Sequence, residues 1–186
     1  MEITSIFGIP AHPLFVHVPV VLVPLSLFGA IAMLSPSLRA KFGWVTVMVS
    51  LVALVFAVLA TGSGEALGEY TKETKALEYH TSIGENLRVW VFLLFVFVLA
   101  AMLAKYCFRI NFWVKKYNTA GESSRLVSTV VVKRVSLAMC VLAIITGVVA
   151  TYWVYEIGHS GAKATWEKTQ IRIDKGIKLG ESSESD

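Results

Sequence analysis

Val89-Trp90-Val91-Phe92-Leu93-Leu94-Phe95-Val96-Phe97-Val98-Leu99-Ala100-Ala101-Met102-Leu103-Ala104 carries no charged side chain, no glycine and no proline. Extended to Phe108, the run reaches the ~20 residues that a helix needs to cross a hydrocarbon core of ~30 Å. Similar apolar runs occupy residues 13–34, 44–61 and 135–157. The chain of 186 residues is 55% hydrophobic and 16% charged, with a mean hydropathy of +0.65. That composition excludes an ordinary soluble domain. The expected fold is all-α, a bundle of four transmembrane helices over residues 1–166, followed by a tail over residues 167–186. The third helix is expected to begin near Thr71 or Lys72, so that a span over 72–108 starts outside the membrane. The first run has no basic n-region and no small-residue cleavage site before it, and reads as an uncleaved span.

Four spans take most of the chain and leave no room for a separate enzymatic domain. An electron carrier or accessory subunit is therefore a better expectation than a stand-alone enzyme. The connections after spans one and three hold Arg39, Lys41, Lys105, Arg109, Lys115, Lys116, Arg125, Lys133 and Arg134, whereas the one after span two holds Lys72, Lys75 and Arg88 among five glutamates. The bias in Lys and Arg puts the first set in the cytoplasm. Both termini then face outward, to the periplasm in a Gram-negative cell. Trp44 and Trp113 at one interface, and Trp90, Tyr152, Trp153 and Tyr155 at the other, suit aromatic anchoring. The net charge of +4 then describes membrane-flanking segments and points to no nucleic acid.

The chain has four histidines, His12, His17, His80 and His159. Spans that reverse direction at each connection bring all four to the outer face. Imidazole binds haem iron and transition metals near neutral pH, so this clustering is the chemical signal of the sequence. His12 precedes Pro13, which a helix tolerates in its first turn. His17 lies five residues on, roughly 140° around the helix from His12. Pro19 and Pro24 free the carbonyls of Phe15 and Val20, and should bend span one. Leu77, His80, Gly84, Leu87 and Val91 fall on one helical face, with Gly84 allowing close approach of a flat ligand. Two glycines in Thr61-Gly62-Ser63-Gly64-Glu65 should unwind the end of span two. Gly158 should cap span four and leave His159 just past the helix.

Cys107 and Cys140 sit toward the cytoplasmic ends of spans three and four, where a disulfide is not expected. Neither belongs to a C-x-x-C-H motif, which excludes covalently attached haem. The chain has no internal repeat, P-loop, dinucleotide fingerprint or nucleophile elbow. Glu65, Glu69, Glu73, Glu78 and Glu85 read as a solvated face.

The opening His12-Pro13-Leu14-Phe15-Val16-His17-Val18-Pro19 resembles the H-P-L-x-V-H-F-P opening of domain-of-unknown-function family 2231, small bacterial four-span membrane proteins. Thr61-Gly62, His80 and the closing Ile157-Gly158-His159-Ser160-Gly161-Ala162-Lys163-Ala164-Thr165-Trp166 also look like family features, so the resemblance runs from about Gly8 to Trp166. Val18 replaces the usual aromatic. The resemblance implies a multi-pass protein of the bacterial cytoplasmic membrane. Relatives joined to Rieske-type iron-sulfur domains imply a haem- or redox-associated role.

Two functions follow. One is a redox protein holding b-type haem between His17 and His80, with His12 and His159 as a second pair or supporting shell. Copper, zinc or non-haem iron held by three or four of the histidines is a variant of it. Its partners would be Rieske- or cytochrome-type proteins. The other is an accessory subunit of a larger membrane complex, with no cofactor. The tail from Thr169 to Gly180 alternates polar and apolar residues around Asp174-Lys175-Gly176, as a short hairpin docked on a partner would; otherwise it is disordered.

Overall fold

The computed structural model describes residues 5–71, 74–116 and 122–176. A two-stranded antiparallel hairpin, β1 (Ser5–Ile6) with β2 (Ile9–Pro10), precedes four helices, α1 (Ala11–Ala32), α2 (Pro36–Gly68), α3 (Lys75–Lys116) and α4 (Glu122–Asp174). Phe7 and Gly8 at the hairpin tip both have positive φ, 52° and 78°, which matches the handedness of a two-residue hairpin turn. All four helices contain a stretch long and apolar enough to cross a membrane: Ala11–Ala32, Pro36–Gly68, Leu77–Ala104 and Val130–Lys163.

The three residues Met33 to Ser35 reverse the chain between α1 and α2. Met33, Leu34 and Ser35 donate their N–H groups to Gly29, Ile31 and Ala32, and Pro36 opens α2 where its missing N–H costs nothing. So short a connection makes α1 and α2 antiparallel neighbours. Thr74 starts α3, its hydroxyl accepting the N–H of Leu77 at 3.2 Å, which is the hydrogen bond of an N-cap. α1 packs on α2 and α4, and α3 packs on the same two helices, so α1 and α3 lie on one diagonal.

Lipid and apolar side chains attract an apolar helix equally, so small residues that let backbones close up decide which face turns inward. The buried positions of α2 are Gly43, Thr46, Val47, Ser50, Ala53, Ala57, Ala60, Ser63 and Ala66. Their hydroxyls bond carbonyls of their own helix, as Ser50 does to Val47 and Ser63 to Ala60, so they bury no unpaired donor. One core cluster centres on Val47, Leu94, Val98, Met102 and Cys140. A second, nearer the histidines, gathers Val23, Ala53, Ile83, Leu87, Val91 and Val154.

Four local expectations are corrected. α2 continues through Thr61–Gly64 to Gly68; in a packed membrane helix no water competes for the backbone, and glycine there keeps its hydrogen bonds. α4 continues past Gly158, so His159 lies within the helix. Asp174-Lys175-Gly176 closes α4 instead of turning a hairpin: Lys175 and Gly176 donate to Ile171 and Ile173, and Gly176 has φ of 66°, the left-handed form of a helix C-cap. Thr169–Asp174 is helical, and the second arm of the expected hairpin lies outside the described residues. The third helix begins at Lys75, a turn later than Thr71.

Candidate functional site

His12 stands in the first turn of α1 and His80 in the second turn of α3, and the two rings meet across the bundle diagonal. Their centroids are 6.2 Å apart and their planes cross at 86°. His12 Nδ1 lies 2.7 Å from the Ala60 carbonyl of α2. A carbonyl only accepts, so Nδ1 carries the proton and the neutral ring keeps its lone pair on Nε2. His80 Nδ1 lies 3.0 Å from Ser160 Oγ of α4. That hydroxyl donates its single proton to the Ile157 carbonyl at 3.1 Å, so it accepts from His80, which again leaves the lone pair on Nε2.

The same local device holds both rings. On α2, Ser63 bonds Ala60 three residues earlier, and Gly64 follows; on α4, Ser160 bonds Ile157 three residues earlier, and Gly161 follows. A Cβ on Gly64 would stand 2.8 Å from His12 Cε1 and Nδ1, and one on Gly161 would stand 3.0 Å from His80 Cε1. Glycine is what lets each imidazole lie against its helix. The helical hairpins α1–α2 and α3–α4 are thus alike at the histidine end, although the sequence shows no repeat. The shared signal is only Ser63-Gly64 and Ser160-Gly161, too short to find by eye.

The other two histidines are placed differently. His17 is exposed on the far side of α1, its Nδ1 bonded to the Pro13 carbonyl one turn back. His159 is exposed and stacked on Tyr155, with ring centroids 6.2 Å apart and planes at 11°. The structure therefore brings His12, rather than His17 or His159, to His80. Gly84 is half-buried, and a Cβ there would meet nothing within 4 Å, which leaves open space one turn beyond His80. Among the described residues no group of three or more His, Cys, Asp or Glu side chains is arranged to hold a metal ion.

Four antiparallel apolar helices around a small-residue seam, closed at one end by two imidazoles, define a multi-pass membrane protein. The family model described as predicted membrane protein (DUF2231) matches residues 8–172. The chain belongs to this family. No curated protein and no solved structure matches it.

Proposed function

We propose that the chain is a b-type haem protein of the membrane, in which His12 and His80 would hold the haem iron and the histidine end of the bundle would pass electrons. The observation that supports this reading is the paired geometry: two rings 6.2 Å apart, each with its Nδ1–H engaged by a neighbouring helix. A ring N–H fixed in this way orients an imidazole for ligation through its other nitrogen. Haem iron would need only two ligands from the protein, and His12 and His80 would be those two. Zinc takes three or four protein ligands, a larger set than the two imidazoles that meet here. Haem would bring one-electron chemistry; the chain's part is to hold and orient the imidazoles and to keep the space beside Gly84. The bias of basic residues supports an orientation with this end at the outer face of a bacterial cytoplasmic membrane, where a Rieske- or cytochrome-type partner would exchange electrons with it.

The test is a visible spectrum of the full chain, purified in detergent after haem-replete expression, with metal analysis on the same sample. Sharp alpha and Soret bands are expected on reduction, abolished in His12→Ala and in His80→Ala and retained in His17→Ala and His159→Ala. A colourless protein that takes up no added haem would overturn the reading and leave an accessory subunit of a larger membrane complex.

A further inference from the structure

At the end of the bundle opposite the histidines, Arg39 of α2 ties the four helices together. Its Nε donates to the Met33 carbonyl, just past α1, at 2.6 Å. One Nη donates to Ser136 Oγ of α4, and that hydroxyl donates to the Ala101 carbonyl of α3 at 3.1 Å. Every one of these acceptors is neutral. Among the described residues no carboxylate pairs with Arg39, and a guanidinium carries five N–H groups, of which these contacts use two. The sequence offers little compensation: the nine basic residues flanking the spans at this end face a single acid, Glu122, a net of +8. The remainder of the chain has a net of −4.

Lys133 lies exposed on α4 one turn before Ser136 and on the same side of the helix, near Val130, where the span begins, whereas exposed Arg134 stands on the opposite side. Exposed Leu38, Phe42, Val131 and Val135 surround the same level. Cations that emerge directly beside an apolar surface suit a ligand with a phosphate and acyl chains. We propose that Arg39, with Lys133, binds the phosphate of an anionic phospholipid at this end of the bundle. The planar fork of arginine matches phosphate oxygens two at a time, and basic pockets between membrane helices hold anionic headgroups.

The full chain is reconstituted in nanodiscs of phosphatidylcholine alone or mixed with phosphatidylglycerol, and retained lipid is read by native mass spectrometry beside the thermal midpoint. Preferential retention of phosphatidylglycerol and a raised midpoint are expected. Lys133→Gln should weaken retention about fivefold, from ~1 kcal/mol per basic residue near the surface, and Arg39→Gln by more. Lys75→Gln, at the histidine end, should leave it unchanged. Should Arg39→Gln fail to fold, Lys133→Gln carries the test. Equal retention of both lipids, or unaltered preference in Lys133→Gln, would overturn the proposal. Inorganic phosphate added in detergent should not stabilise the chain; if it matches phosphatidylglycerol, the site is a free-anion site and the lipid assignment is wrong.

Discussion

His12 and His80 face each other from diagonal helices, and neither is held by its own helix: the Ala60 carbonyl of α2 orients the first, and Ser160 of α4 the second. Both imidazole positions therefore depend on how α1 sits on α2 and α3 on α4. Changes on the even-numbered helices should reach the histidines without touching them.

Glycine substitutions separate contact from helix propensity. A methyl on Gly64 stands 2.8 Å from the His12 ring, whereas one on Gly62 meets nothing within 4 Å. Gly64→Ala should cost ~1–3 kcal/mol through overpacking. Gly62→Ala should be neutral, or stabilising by up to ~1 kcal/mol through reduced backbone freedom. Gly161→Ala should be milder than Gly64→Ala, since its nearest atom is His80 Cε1 at 3.0 Å. Thermal midpoints in one detergent give the order; equal midpoints for the Gly62 and Gly64 variants would refute this packing of His12.

Ser160→Ala removes the acceptor of His80 Nδ1–H. A lost hydrogen bond of this kind costs ~1 kcal/mol, and the ring is freed to turn. The expected result is a modest loss of thermal midpoint together with broadened haem bands, both restored by Ser160→Thr, which keeps the hydroxyl. Unchanged bands in the alanine variant would show that Ser160 does not orient the ring.

Ser136 is both acceptor of Arg39 and donor to Ala101. Ser136→Ala leaves a half-buried guanidinium short of one acceptor, a charged-group bond worth ~1.5–3 kcal/mol. Exposed Ser37→Ala should change the midpoint little, within about ±0.5 kcal/mol. A difference between the two variants indistinguishable from zero would remove Arg39 as a tie between helices.

The spans were legible because sixteen uncharged residues in a row admit few other readings, and the face carrying Leu77, His80, Leu87 and Val91 was legible because polar residues break its surroundings. The histidine partner was not. α1 is apolar on nearly every side, so hydropathy alone does not say whether His12 or His17 turns inward. The buried stripe Ala11, Phe15, Pro19, Val23, Ser26 and Ala30 is set by how closely α2 approaches, a property of small residues on a different helix. Helix ends were misread for a related reason. Gly62, Gly64 and Gly158 are breakers in water, but within a packed bundle they interrupt nothing. Asp174-Lys175-Gly176 suits a hairpin turn or a helix C-cap equally well, and local sequence does not choose between them.

A double-mutant cycle on His12 and His80 distinguishes a shared occupant from two independent tethers. The hydrogen bonds of the two rings run to different helices, His12 to α2 and His80 to α4, so as tethers alone their losses should nearly add. A ligand held by both changes that arithmetic: the first alanine already releases it, and the second has little left to lose. With haem added, the midpoint of the double variant should thus fall only slightly below that of the worse single variant, a coupling of ~0.5–3 kcal/mol. Without haem only the direct contact of the two rings couples them, so the coupling should be clearly smaller than with haem. A coupling that haem leaves unchanged would mean that the rings tie helices and share no ligand, whatever the colour of the preparation.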